Sequence, residues 1–309
     1  MKEEIYYESR DGKTQIHSVK WTPEKEPKAV IQIVHGMAEY IERYEDFALF
    51  LNSQGFVVVG NDHLGHGKSV SEDVPKGYFC EQDPATVVVR DVHRLKKLTQ
   101  EKYPKLPYII LGHSMGSFIL RNYLTTYGTG IQAAVVVGTG MMPNGVLNFG
   151  ILLSKLISKR KGTKYPSPFV NAVSFGGYNK KIKKPATPMD WLSRNEDNVK
   201  KYMEDENCGF TFTTNGFITL FTLLKRLNSK ANLAKVPKDL PIFFIAGHAD
   251  PVGNYGAGVA KAVKSLMDCG VENIHMKYYE EDRHEILNEV DKEVVYQDVV
   301  CWLDSLKLY

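Results

Sequence analysis

The chain has 309 residues, 43% of them apolar, 24% charged and 11% aromatic, and a formal net charge of +3. This composition can fill a large core and excludes a disordered chain, and so small a charge gives no reason to expect a nucleic-acid partner. The longest apolar runs, residues 133–137 and 241–246, fall far short of the ~20 residues a membrane-spanning helix needs.

The opening MKEEIYYESRDGK has no apolar stretch of the signal-peptide kind. Residues 5–9 and 15–21 alternate apolar and polar positions around Asp11-Gly12, which predicts a hairpin. Residues 29–34 (AVIQIV), 56–59, 108–111, 133–137 and 242–246 are short, mostly apolar runs suited to strands buried on both faces of a parallel sheet, and 276–279 is a last short one. Helical patterns lie between them. They cover 43–54 with Gly55 as a stop, 84–102 with Pro84 at the first helical position, 114–127, 256–269 and 290–306. Strand alternating with helix predicts an α/β fold with a doubly wound, mostly parallel sheet flanked by helices.

One stretch breaks that rhythm. Between Gly140 and Pro237 there is no clear buried strand, only helical pieces at 146–158 and 217–227 among Pro- and Gly-containing loops. It is expected to be an inserted helical cap, residues 141–235, on a core formed by 1–140 and 236–309. The cap holds 16 Lys and Arg against 6 Asp and Glu, and residues 155–184 hold nine basic side chains and no acidic one. Cys80, Cys208, Cys269 and Cys301 are widely spread, which fits reduced thiols in a cytoplasmic protein and gives no zinc motif.

The strongest motif is Gly112-His113-Ser114-Met115-Gly116, a GxSxG between an apolar strand and a helix. A turn this sharp strains the serine backbone and lifts its hydroxyl above the sheet, and the Met115 N–H at the helix start is placed to meet an oxyanion. A serine needs a base, and the expected chain order is Ser, acid, His. Asp250 follows the strand 242–246, and His284 lies five residues beyond 276–279. Asp250 would fix the imidazole tautomer and His284 would carry the serine proton. Asp62 also ends a strand, but it lies upstream of Ser114 and reads as structural. His113 is expected to point away on the turn. His35, His63 and His66 cluster near strand ends, where loop packing is a better reading than metal ligation. The Met37 N–H, after His35-Gly36, is the expected second oxyanion donor. Asp250 as a turn residue, His284 as a solvated histidine among Glu280, Glu281, Asp282 and Glu285, and His35-Gly36 as a simple turn remain the bland alternatives.

The segments HGMAEYIERY (35–44), GNDHLGHGKS (60–69), LGHSMGS (111–117), AGHADPV (246–252) and RHEILNE (283–289) resemble the α/β-hydrolase fold, and more narrowly the monoacylglycerol lipase and lysophospholipase family. The resemblance implies Ser114 as nucleophile, Asp250 as acid, His284 as base, and the Met37 and Met115 amides as oxyanion hole. It further implies hydrolysis of single-chain acyl esters without a cofactor or metal. The cap matches no motif. Its apolar helix with a basic edge could meet an anionic membrane, against the alternative of a helix packed on the core beside a solvated basic loop. A peptidase of the proline-iminopeptidase kind or an acyltransferase is the rival chemistry, and a non-catalytic binding protein is a third reading. Ser114 excludes dehalogenase and epoxide-hydrolase chemistry, which needs an aspartate there.

Overall fold

In the computed structural model, which describes residues 1–71 and 74–309, eight strands form one sheet in the order β1-β2-β4-β3-β5-β6-β7-β8. The expected hairpin is β1 (Lys2–Glu8) and β2 (Gln15–Trp21). The Asp11 carboxylate closes its turn by accepting the Lys13 and Thr14 N–H groups, and Gly12 takes the positive φ (+73°) that the turn requires. β2 joins β4 (Phe56–Asn61) antiparallel. Every later pairing is parallel, through β3 (Ala29–Val34), β5 (Tyr108–His113), β6 (Ala133–Val137), β7 (Ile242–Gly247) and β8 (Ile274–Tyr279).

The central strands carry apolar side chains on both faces because both faces are covered. Val30, Val57, Ile110, Val136 and Phe244 point into one core, closed by α2 (Pro84–Lys102), α3 (Met115–Tyr127) and α9 (Ala257–Met267). Their neighbours Ile31, Val58, Ile109, Val135 and Phe243 point into the other, closed by α1 (Glu45–Ser53) and α10 (Lys292–Ser305). Helix α1 begins two residues later than the sequence pattern predicts. A 3-10 turn at Ile41–Tyr44 precedes it, since the Ile41 N–H is captured by Asp62 and the Arg43 side chain is drawn inward.

Between β6 and β7 the described residues contain no strand, only one isolated bridge, Pro166 to Thr213. The expected helical pieces are α4 (Asn144–Lys161) and α7 (Thr214–Arg226). Three more were not predicted: α5 (Pro168–Phe175), α6 (Glu196–Glu204) and α8 (Lys230–Leu233). α7 anchors the segment, with Phe217 and Leu223 fully buried against the α2 and α3 side of the sheet. Each such side chain contributes about 1.5–3 kcal/mol by leaving water. α4 buries only Leu147 and Ser154, and leaves Val146, Phe149, Leu152 and Leu156 more than half exposed. Among the described residues no helix is long and apolar enough to cross a membrane.

Candidate active site

Ser114 sits on the turn between β5 and α3 with φ +54° and ψ −121°, a conformation that ordinary residues avoid. The turn closes only because its flanking glycines lack side chains. A β-carbon on Gly116 would overlap the Val34 carbonyl oxygen, and one on Gly112 would overlap the Gly116 carbonyl. The Ser114 N–H donates to Val137 O at 3.0 Å, which pins the turn to the end of β6.

The three residues expected to act together, 170 positions apart at the extreme, are in one hydrogen-bonded line. Ser114 Oγ donates to His284 Nε2 at 2.8 Å, and His284 Nδ1 donates to Asp250 Oδ2 at 3.0 Å. Asp250 and His284 are buried, at 0% and 2% exposure. The second Asp250 oxygen accepts the Val252 N–H at 2.8 Å, so its carboxylate cannot swing away. Such a line can move the hydroxyl proton to the imidazole while the buried carboxylate holds the tautomer and offsets the resulting charge.

The loop after β3 closes over the serine from the other side. A β-carbon on Gly36 would come within 3.1 Å of Ser114 Cβ, and Ala38 adopts a positive φ of 53°. The Gly36 N–H is taken by Glu39 Oε1 at 2.6 Å. Among the described residues no intrachain hydrogen bond takes the Met37 or Met115 N–H. Both residues line a cavity of about 250 Å³ that opens over Ser114 and His284. Its walls are mainly apolar, with Phe118 from α3, Phe175 from α5, and Leu220, Phe221 and Leu224 from α7. Trp191 lies tilted beside the His284 ring, 5.2 Å between centroids.

Behind the serine lies a charged network that sequence reasoning missed. Arg43 grips Glu285 with two hydrogen bonds of 2.8 Å and Glu39 with one of 2.7 Å, and its guanidinium lies over the Tyr202 ring. Burial opposes ionisation of Glu39. The His113 hydrogen bond and the Arg43 charge outweigh it and hold the Glu39 carboxyl well below its usual pKa. Burial likewise disfavours the Glu285 carboxylate, and Arg43 again reverses the balance. His113, expected to point away, borders the cavity and lies beside the His284 ring, 4.8 Å between centroids. Its Nδ1 meets the Tyr44 hydroxyl at 2.9 Å and its Nε2 donates to the His284 carbonyl at 3.1 Å. Burial lowers its pKa, but the Glu39 hydrogen bond and charge raise it further than burial depresses it. One available signal was HGMAEYIERY itself, in which Glu39 and Arg43 stand four apart beside a strand-end glycine.

The other sequence candidates settle as packing residues. His35, His63 and His66 are buried against one another with tilted rings, 4.1 Å between the first two centroids. Burial pushes His63 down to about 4 and His66 to about 3. They bond to loop backbone, His63 Nε2 to His35 O and His66 Nδ1 to Leu64 O. Asp62 anchors loops, accepting from His17 Nδ1, Ile41 N and Lys68 N at 2.8–2.9 Å.

Residues 25–291 match the family described as serine aminopeptidase, S33 (Hydrolase_4). A monoacylglycerol lipase of Mycolicibacterium smegmatis is 27% identical over 287 residues, 92% of this chain and 91% of that protein. A thermostable carboxyl esterase from Bacillus coagulans, solved with glycerol, superposes with a TM-score of 0.91 at 32% identity, covering 99% of this chain and 98% of the other. A monoglyceride lipase variant from Saccharomyces cerevisiae shares the fold, with a TM-score of 0.79 at 19% identity over 98% and 95% of the two chains.

Proposed function

The chain belongs to the serine aminopeptidase S33 (Hydrolase_4) family and is a monoacylglycerol-lipase-like α/β-hydrolase acting on carboxylic esters, and from that premise we propose that it cleaves single-chain acyl esters through Ser114, His284 and Asp250. The observation that carries this reading is the unbroken line from the Ser114 hydroxyl through His284 to Asp250. Ser114 Oγ attacks the ester carbonyl as His284 Nε2 takes its proton. The oxygen that becomes negative is met by the Met37 and Met115 N–H groups, both otherwise unengaged. The imidazolium returns the proton to the departing alcohol, leaving an acyl-serine. Water, activated by the same histidine, then releases the fatty acid. No metal or cofactor enters this sequence.

Residues 141–235 act as a cap whose inner side receives the acyl chain, a role supported by the phenyl and leucine side chains that α5 and α7 give to the cavity. Monoacylglycerols and lysophospholipids fit a mainly apolar slot ending at a serine. Peptidase action, which the family description brings to mind, would need free acidic groups to hold a substrate amine. The two carboxylates that line the cavity, Glu39 and Glu285, are already bound by Arg43. That observation favours the ester.

The outer side of the cap contacts anionic membrane. Phe149, Leu152 and Leu156 on α4 and Phe169 and Val173 on α5 are exposed, and Lys155, Lys159, Arg160 and Lys161 rim them. An apolar face with a basic edge suits a lipid surface. Equal sedimentation with anionic and neutral vesicles would remove this part.

The central test is a fluorophosphonate probe that labels the wild type and spares Ser114→Ala, alongside turnover of p-nitrophenyl esters from acetate to palmitate, monoolein, a lysophospholipid and an aminoacyl anilide. Ester turnover that disappears with Ser114 is the expected result. Turnover of the anilide alone would overturn the proposal.

A further inference from the structure

A second constellation lies at the edge of the sheet, remote in role from Ser114. His17 on β2 is 0% exposed, and its Nδ1 lies 2.8 Å from Asp62 Oδ2. With the Nδ1 proton committed to that carboxylate, Nε2 presents a lone pair. Yet Nε2 is buried and has no hydrogen-bond partner. It faces Glu4 of β1, whose Oε2 is 3.4 Å away, and Glu42 of the Ile41–Tyr44 turn. One ligand atom from each of His17, Glu4 and Glu42 lies within 4.8 Å of the others. Two carboxylates and an unpartnered ring nitrogen converge on one point, and the cations that offset the acids, Lys68 and Lys2, leave that nitrogen without a hydrogen bond.

We propose that His17, Glu4 and Glu42 form a binding site for a divalent transition-metal ion of the zinc class. One imidazole nitrogen and two carboxylate oxygens, with a water in the fourth position, is a donor set zinc accepts, at ~2.0–2.2 Å from each ligand atom. Asp62 supplies the outer partner such a histidine needs: it binds the far ring nitrogen, which fixes the tautomer and turns Nε2 toward the ion. The same Asp62 holds the Ile41 N–H through its other oxygen, at 2.8 Å. The ion therefore ties the edge hairpin to the turn that ends the loop carrying Met37. Lys68 competes for the same acids. Its Nζ lies 2.6 Å from Glu4 Oε1 and 3.5 Å from Glu42 Oε2, while Lys2 holds the other Glu42 oxygen at 2.8 Å. Metal binding displaces the Lys68 ammonium, so the lysine sets the affinity. Its loss strengthens binding.

The experiment is calorimetric titration of chelator-treated full-length protein with zinc chloride, with the thermal midpoint as a second readout and ester turnover measured in parallel. The wild type takes up one zinc ion and its thermal midpoint rises. Glu4→Gln changes a side chain 41% exposed, so it keeps the fold, and it weakens binding by about tenfold or more. Lys68→Met tightens it. The 15N resonance of His17 Nε2 moves on zinc addition. Three results overturn the proposal: no zinc uptake by the wild type, unchanged affinity in Glu4→Gln, or a His17 Nε2 that carries a proton and stays unshifted at saturating zinc. Because binding and thermal shift are read without substrate, failure here leaves the esterase reading standing, and loss of esterase activity leaves this site standing.

Discussion

Replacing Arg43 with Met probes the charged network behind the serine most directly. The Arg43 side chain is 9% exposed and those of Glu39 and Glu285 are 3% each, so water screens little of their interaction. Removing the cation leaves two buried carboxylates facing each other, and breaking a buried pair in this way costs about 3–5 kcal/mol. Unfolding entropy near 60 °C is about 2.1 cal/mol/K per residue, which for 309 residues gives ~0.65 kcal/mol/K. The thermal midpoint should fall by about 5–8 °C at pH 7. The deficit should depend on pH. In the wild type both folded-state pKa values are depressed, so their stabilisation is present above the unfolded value near ~4.3 and is lost only as pH falls through the folded values. In the variant His113 still holds Glu39 down, while Glu285 keeps its burial and the Glu39 charge beside it, which raise its folded value. The variant's penalty is then present above that raised value and shrinks as pH falls from there to the unfolded value of ~4.3, because the carboxyl protonates first in the folded state. Calorimetric melts of both proteins from pH 7 to 4.5 measure this. A deficit that stays constant over that range, or a double variant with Glu285→Gln no more stable than the single one, would refute the reasoning.

Asp250→Asn should keep the fold and lower kcat by on the order of 10⁴ with KM little changed, since the imidazole loses its tautomer and its counter-charge. A drop below tenfold in steady-state ester hydrolysis would leave that carboxylate without the assigned role. Phe221→Ala shortens a wall of the cavity, and the kcat/KM ratio of palmitate to butyrate p-nitrophenyl esters should rise at least about tenfold. An unchanged ratio would place the acyl chain elsewhere. Gly116→Ala pushes a β-carbon into the Val34 carbonyl and should yield unfolded or insoluble protein, by more than about 4 kcal/mol. A soluble variant with wild-type melting would contradict the tightness of that turn.

The sheet was legible because its strands are buried on both faces, so β6 carries an unbroken apolar run and β3 one interrupted only by Gln32, and the ends of both match the sequence reading. That Ser114, Asp250 and His284 meet was legible because the strand ends fix where each can stand. Helices α5 and α6 escaped notice for want of apolar periodicity, although each has a start signal. Ser167 caps Val170 N ahead of Pro168, and Asn195 caps Asn198 N ahead of two acids. Of the Arg43 network only the Glu39 pairing, four residues away, left a trace in the sequence. Arg43 and Glu285 are 242 positions apart, and nothing in a single sequence says which of many acids a given arginine will reach.

Residues 190–198 are laced to the loop that carries His284. Trp191 O accepts the His284 N–H, Leu192 O accepts the Glu285 N–H, and Arg283 donates to Asp190 O and Ser193 O. Arg194 spans Asp282, Glu289 and Asp291, and Asn198 holds Glu285. A hinge through this stretch would drag the imidazole out of line with every opening. Among the described residues no hydrogen bond ties α4 or α5 to that loop, so either helix could shift without pulling on His284.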